Sequence, residues 1–344
     1  MSQVIEINRI EELEALRLTW TALFRQTQNA SFFQTLDWVQ TYWRYYGEGQ
    51  RLRVLLVCAG GAPIGIVPLA VVREKTRLGR VRVLTYPLHD WGTYYGPIGP
   101  NPAATMTLAM QHVQATERDW DMLDLRWVNL EEQDKRRTQR AMERAGFTVR
   151  EGAWKTTALV DLDCEWSDYW MSRSGKLRSN IARSERRLSA LGDVEHIRYR
   201  PESASNGGGD PRWDLFEACV DIAKNSWQGS SSTGTTLSHA EIHEFLRLSH
   251  GLAAANGMLD LNLLTVNKRP VAFTYNYQYD GNVTGLRVGY TPDSAKLGVG
   301  NVLLARSLED SCARGDRLLD LGPGTMEVKA KWMTRLHQTR RFTH

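Results

Sequence analysis

The chain carries a distant internal repeat of β-hairpins, and a repeat restricts the fold more than any single motif does. In the first half Leu52-Arg53-Val54-Leu55-Leu56-Val57 alternates loosely, Gly60-Gly61 supplies a turn, and Pro63-Ile64-Gly65-Ile66-Val67-Pro68-Leu69 follows. In the second half Leu259-Asp260-Leu261-Asn262-Leu263-Leu264-Thr265-Val266 leads through Asn267-Lys268 to Pro270-Val271-Ala272-Phe273-Thr274-Tyr275. β-rich residues on both sides of a short turn read as a hairpin. Aligning Pro63 with Pro270 superimposes the two. The copies agree again at Met122-Leu123-Asp124-Leu125 and Leu318-Leu319-Asp320-Leu321, short apolar strands that contain an acid. Each follows a helical stretch, residues 103–117 and 301–314. A meander, a helix and a strand in that order make an α/β module with a mixed sheet, and two copies imply a tandem.

In the second copy Asp280-Gly281 is a further hairpin turn, because both of its residues accept positive φ. Residues 259–266, 271–279 and 283–288 therefore form a three-stranded meander. Between the copies, residues 174–191 place Leu177, Ile181, Leu188 and Leu191 at helical spacing. That helix is strongly basic: Arg173, Lys176, Arg178, Arg183, Arg186 and Arg187 are opposed by Glu185 alone. Residues 203–210, with three consecutive glycines, and 229–236, just after Trp227, read as polar loops.

Bulk properties exclude several classes. At 344 residues and 42% apolar, the chain is long enough for two compact domains. The net charge of +4 is too small for a dedicated nucleic-acid binder and makes an anionic ligand plausible. Cys58, Cys164, Cys219 and Cys312 are far apart without a CxxC pair, which points to buried thiols in a reducing compartment. The first twenty residues mix acids and arginine among apolar residues and read as strand then amphipathic helix, not as a signal peptide. No apolar run approaches the roughly 20 residues of a membrane span. The chain is therefore expected to be cytoplasmic, with no membrane span and no DNA partner. His239-Ala-Glu241-Ile-His243 lacks a third ligand, and no metal site is expected.

Two constellations carry chemistry. After Tyr290, a polar loop reaches Lys296-Leu297-Gly298-Val299-Gly300-Asn301 and opens an amphipathic helix. A helix N-terminus offers unpaired N–H groups and the positive dipole end, which suits a pyrophosphate. Glycines after an antiparallel meander do not fit a dinucleotide fold, where they follow the first strand of a βαβ unit. The second constellation is Asp320-Leu-Gly322-Pro-Gly324-Thr-Met-Glu327-Val-Lys329-Ala-Lys331-Trp332. Its acids end a strand and follow a bend, where a carboxylate can take the proton of an amine or hydroxyl.

In order along the chain, Phe33-Gln-Thr-Leu-Asp37-Trp38, Asp90 and Tyr94, Arg178-Ser-Asn180-Ile-Ala-Arg183, Ser226-Trp227-Gln-Gly229, Pro270-Val-Ala272, the glycines before the last long helix, and Asp320 through Lys329 and Trp332 resemble the cellulose-biosynthesis (CelD-type) acetyltransferase group of the GNAT superfamily, related to the FemAB-like peptidyltransferases. The resemblance covers nearly the whole chain. It implies an α/β (α+β) fold of two tandem GNAT-like modules, each a mixed, largely antiparallel sheet flanked by helices. Residues 1–160 would be a degenerate module and 161–344 the acyl-donor-binding one. The first-module loop Gly96-Pro97-Ile98-Gly99-Pro100 fits that degeneracy, since proline removes N–H donors.

The implied activity is acyl transfer from acyl-CoA, or from the phosphopantetheine of an acyl-carrier protein, to an amine or hydroxyl of a small-molecule, sugar or peptide acceptor. Arg287, Val288, Lys296, Gly298, Val299, Gly300 and Asn301 would hold the donor. Asp320 or Glu327 would be the general base, and Tyr290 would protonate the leaving thiolate. Trp227, Lys329, Trp332, Asp90 and Arg178 would bind the acceptor. Two rival readings stand beside it: a FemAB-like transfer from aminoacyl-tRNA, favoured by the basic helix, and a non-catalytic GNAT-like scaffold. Acceptor, acyl length and oligomeric state stay open at this level.

Overall fold

The computed structural model describes residues 2–76, 79–231 and 234–344. Ser232 and Thr233 of the expected polar loop 229–236 lie outside the described residues. The chain forms two compact units, Met1–Thr156 with Gln338–His344, and Thr157–His337.

The first unit contains β1 (Ser2–Ile7), α1 (Arg17–Arg25), α2 (Leu36–Tyr46), β2 (Arg51–Ala59), β3 (Ala62–Thr76), β4 (Gly79–Thr85), α3 (Pro102–Ala115), β5 (Met122–Val128) and α4 (Arg137–Arg144). The second contains α5 (Trp166–Ser172), α6 (Gly175–Ser189), β7 (Val194–Tyr199), α7 (Trp213–Lys224), α8 (His243–Ala255), β8 (Leu259–Val266), β9 (Arg269–Tyr279), β10 (Asn282–Tyr290), α9 (Pro292–Ala295), α10 (Val299–Arg314), β11 (Leu318–Asp320) and α11 (Met326–Lys329). Strands β6 (Arg150–Asp161) and β12 (Arg335–Thr343) cross the unit boundary.

The repeat holds at the level of topology. In the first unit the strand order is β1-β2-β3-β4-β5-β12, and in the second it is β7-β8-β9-β10-β11-β6. The β4–β5 and β10–β11 pairs are parallel, and the other described pairs are antiparallel. A parallel pair needs a crossover; α3 lies between β4 and β5 in the chain, and α10 between β10 and β11. Each unit is thus the expected mixed, largely antiparallel sheet with helices against it.

The turns follow their sequences. Gly60 and Gly61, Asn267 and Lys268, and Asp280 and Gly281 all have positive φ, as two-residue hairpin turns of the favoured hand require. In α6 the predicted stripe buries Leu177, Ile181 and Leu188. Leu177 and Ile181 join Val160, Val283, Leu308, Leu319 and Trp332 in one core cluster, and Leu188 joins Leu264, Ala272, Val299 and Leu303 in another. Each such side chain contributes about 1.5–3 kcal/mol when fully buried. Leu191, expected on the same stripe, lies beyond the helix end and is 55% exposed. Among the described residues no helix is long and apolar enough to cross a membrane.

Candidate functional site

The centre of the second unit is the place where β10 parts from β11. The two strands pair at Asn282 with Leu318, Val283 with Leu319 and Thr284 with Asp320, and there β11 ends. Beyond that point β10 runs on to Tyr290 against β9, with a bulge between Gly285 and Arg287. Glycine is required at the fork: a Cβ on Gly285 would stand 2.8 Å from the Asp320 carbonyl oxygen.

The ladder fixes which groups face the open side. In an antiparallel pair, residues alternate between exchanging both hydrogen bonds with the partner strand and pointing both groups away. Thr291 donates its N–H to the Val271 carbonyl at 2.9 Å, and Val288 is registered with Thr274 and Tyr290 with Ala272. Counting back by twos from Thr291, the N–H groups of Val288 and Tyr290 point away from β9, into the gap that β11 leaves. The Val288 carbonyl confirms the count, because it accepts a hydrogen bond from Gln228 Nε2 at 3.1 Å.

Gln228 is fully buried and ties the segment after α7 to this edge. Its Oε1 accepts from the Leu237 N–H at 3.2 Å, and its own carbonyl accepts from Ser238 Oγ at 2.8 Å. Arg287 adds a second tie, donating Nε to the Thr235 carbonyl at 2.7 Å. His239, weighed above as a helical metal ligand, instead sits before a short 3-10 turn and bonds Thr236 Oγ1 at 2.6 Å and the Ser231 carbonyl at 2.8 Å. His243 begins α8.

Helix α10 opens at Gly298, which has φ +75°, and no side chain caps it. The Val299 and Gly300 N–H groups therefore have no intrahelical partner, whereas the Asn301 N–H donates to the Gly298 carbonyl at 3.0 Å. A Cβ on Gly300 would approach Tyr290 Cδ1 to 3.1 Å, and one on Gly298 would meet Ser184 Oγ of α6 at 2.6 Å. So Gly300 lets the Tyr290 ring lie over the helix start, and the basic helix α6 backs onto Gly298. Lys296 and Asn301 are exposed.

At the end of β11, Asp320 is 3% exposed and accepts the Gly322 N–H at 2.7 Å. Lys329 donates Nζ to the Gly322 and Pro323 carbonyls, both at 2.7 Å. Burial lowers the Lys329 ammonium to about 8, against the field of Asp320, which raises it. Glu327 on α11 is exposed.

Tyr290, Arg287, Val288, Gly298, Val299, Gly300 and Asn301 thus belong to one strand edge and the helix that follows it, with Asp320, Glu327 and Lys329 on the neighbouring strand end and helix. Trp227 is 54% exposed, one residue before Gln228. The other acceptor candidates are placed differently. Trp332 is fully buried, and its carbonyl accepts from Tyr169 Oη at 2.6 Å. It braces the core and has no surface to offer a substrate. Arg178 turns back onto the C-terminus of α5, donating to the Met171 carbonyl at 2.9 Å and the Arg173 carbonyl at 2.6 Å. Cations at a helix C-terminus meet its orphan carbonyls and negative dipole end, so Arg178 is a cap. Asp90 lies exposed in the first unit, after β4. Gln228 is the residue that sequence reasoning passed over in favour of its aromatic neighbour.

No curated protein matches the sequence. Among solved structures, FemX superposes with a TM-score of 0.64 at 10% identity, covering 99% of this chain and 96% of that one. The C-terminal domain of a putative lysylphosphatidylglycerol synthetase from Agrobacterium fabrum gives 0.61 at 12% identity, covering 97% and 92%. L-PGS from Bacillus licheniformis gives 0.59 at 13%, covering 94% and 90%. At these identities the likeness is one of fold. Residues 175–330, the stretch that holds Gln228, the parted edge of β10, the start of α10 and the end of β11, match the acetyltransferase (GNAT) domain family.

Proposed function

We propose that the second unit is an acyltransferase whose thioester donor lies along the open edge of β10. The observation that carries this reading is the pair of N–H groups, on Val288 and Tyr290, that point into the gap beyond β11. Backbone donors fixed at a strand edge can hold a thioester carbonyl and stabilise the charge that develops on it. The open Val299 and Gly300 amides at the uncapped start of α10 suit the donor's pyrophosphate, with the exposed Asn301 side chain one residue on, and Lys296 adds a cation nearby. The motif order that resembles the cellulose-biosynthesis group favours acyl-CoA or a carrier-protein thioester as donor.

In the reaction an amine or hydroxyl of the acceptor forms a bond to the acyl carbon, and the carbon–sulfur bond breaks. Glu327, solvent-exposed, or Asp320 takes the acceptor's proton. Tyr290, beside Gly300, gives its proton to the departing thiolate. The Lys329 ammonium and the Trp227 ring hold the acceptor.

Calorimetric titration with coenzyme A tests the donor site. The informative variant is Asn301→Asp. A carboxylate in the first turn favours the helix by about 0.3–1 kcal/mol, so the fold is kept, while the same charge repels a pyrophosphate. Unchanged stability with coenzyme A affinity reduced at least about tenfold, or 1.4 kcal/mol, is expected. Equal affinity in both proteins would remove the donor from this helix.

A second reading has its own observation. On α6, Lys176, Arg183 and Arg187 are exposed at helical spacing, and the same helix touches Gly298 through Ser184. A donor carried on RNA would use such a face. Binding of tRNA that weakens steeply with added salt, together with no response to coenzyme A, would favour it.

A further inference from the structure

The first unit holds a cleft of about 370 Å³ that this reading does not use. It opens at residues 95–102, where the loop after β4 enters α3. In the repeat, that is the place that residues 290–298 and the start of α10 hold in the second unit. Its chemistry is different. Pro97, Pro100 and Pro102 line it, and proline has no N–H to give. The turn therefore lacks the run of amides that an anion needs at a helix start. Asp134 and Arg137, of opposite sign, are the charged residues of the wall.

What the wall offers instead is carboxamides: Gln26, Gln28, Gln34, Asn129 and Gln133. Two of them are spent on the wall itself. Gln34 accepts from the Ser31 N–H at 3.3 Å and donates to the Gly96 carbonyl at 3.4 Å, and Asn129 accepts from the Glu132 N–H at 3.1 Å. The other three keep capacity. Gln26 and Gln133 commit only Nε2, to the Ala22 and Asn29 carbonyls, both at 2.9 Å, which leaves each Oε1 open. Gln28 makes no hydrogen bond with another described residue. Tyr95 also borders the cleft, but it is 3% exposed and its hydroxyl is sealed from solvent, so the glutamines carry the polar contacts.

A carboxamide presents donor and acceptor side by side, the complement of vicinal hydroxyls, each of which both donates and accepts. The rings of Pro97, Pro100 and Pro102 add apolar surface for the C–H face of a sugar ring. A volume of this size is at the lower end of small-molecule sites, roughly 300–1,000 Å³, which combine apolar walls with a few placed polar groups. We propose that the cleft binds a neutral saccharide of one or two rings, with Gln26, Gln28 and Gln133 as its hydrogen-bonding partners.

The test is calorimetric titration of the full chain with a panel of neutral mono- and disaccharides at millimolar concentration. Gln28→Ala and Gln28→Glu, on the exposed rim, are each expected to weaken binding about tenfold. Neither removes a hydrogen bond of the free protein, so both should melt at the wild-type temperature. No binding by any saccharide overturns the proposal. So does binding that both variants leave intact, and so does a preference for a dipeptide amide or inorganic pyrophosphate over the sugars. Coenzyme A titration of the same variants should be unchanged, which keeps this outcome separate from that of the donor site.

Discussion

Replacing Gln228 probes the open strand edge through the side chain that bonds the Val288 carbonyl. The side chain is fully buried and spans two backbone groups, the Val288 carbonyl at 3.1 Å and the Leu237 N–H at 3.2 Å. Leucine fills a similar volume and bonds neither. Each orphaned backbone group costs about 1–3 kcal/mol when it stays out of water. Part of that returns if the segment shifts to admit water, so about 2–4 kcal/mol is the expected loss. For a unit of 150–250 residues, 1 kcal/mol moves the midpoint by about 2–4 °C, and Gln228→Leu should lower the melting temperature by roughly 5–15 °C. Gln228→Glu should be worse, since it sets a carboxylate against the Val288 carbonyl while keeping the shape. Thermal melts of the three proteins followed by circular dichroism, with coenzyme A titrations below the lowest midpoint, give the comparison. Coenzyme A affinity should fall in both variants, because the segment that holds β10 in place is loosened. Wild-type melting in Gln228→Leu would mean that the segment after α7 is held by something else. Equal melting of the Leu and Glu variants would refute the hydrogen bond to Val288.

Other perturbations follow from the same geometry. Burial holds the Lys329 ammonium to about 8, so its charged form, if it binds the acceptor, is full below that pH and lost above it. KM should rise through that pH with kcat little changed, and Lys329→Met should abolish the limb; a flat profile in the wild type would release Lys329 from acceptor binding. Gly285→Ala puts a Cβ 2.8 Å from the Asp320 carbonyl oxygen, a backbone atom that cannot swing away. The overpacked fork should cost about 1–3 kcal/mol, read as a lower denaturant midpoint, and an unaltered midpoint would mean that β10 and β11 separate freely there. His250 is buried and neutral, with Nε2 donating to the Pro211 carbonyl at 2.6 Å and Nδ1 accepting from Tyr275 Oη at 3.1 Å. Burial lowers it to about 4 from 6.5, against the Pro211 bond, which raises it. The unfolded chain then binds the extra proton first, so stability should fall as pH drops from 6.5 to 4, by about 3 kcal/mol in all. Urea midpoints across that range check it; a His250→Asn variant with the same acid slope would assign the loss to other groups.

The parts of the fold that were legible in the sequence are those that local chemistry dictates. Asp280-Gly281 reads as a turn because few other pairs accept positive φ twice, and both residues adopt it. The spacing of Leu177, Ile181 and Leu188 reads as a helix face because a period of 3.6 admits no strand. The bulge between Gly285 and Arg287 left no such mark: a single extra residue in a strand alters pairing and barely alters pattern. Charge was legible in amount but not in direction. Arg178 reads as a ligand-facing cation, yet its acceptors are backbone carbonyls at the end of α5 and just beyond it. Gln228 was invisible for the converse reason, since a glutamine in a polar loop looks like solvent-facing chain until burial shows it bridging two segments.

The two units put different chemistry at the same topological place. In both, a meander ends, a loop follows, and a helix begins before a strand parallel to the meander's last member. In the second unit the helix begins at a left-handed glycine with no side-chain cap, and the preceding strand edge presents N–H groups. In the first, proline stands at the first turn of α3, two more prolines precede it, and carboxamides supplied by residues 26–34 and 129–133 line the space. The sheet order does not have to change for this: exchanging backbone donors for side-chain amides converts a place suited to phosphate into one suited to a neutral ligand. Fold alone therefore says little about what each copy binds. The separating measurement is a pair of titrations on one protein sample, coenzyme A and a neutral saccharide, each sensitive to a variant in one unit and indifferent to a variant in the other.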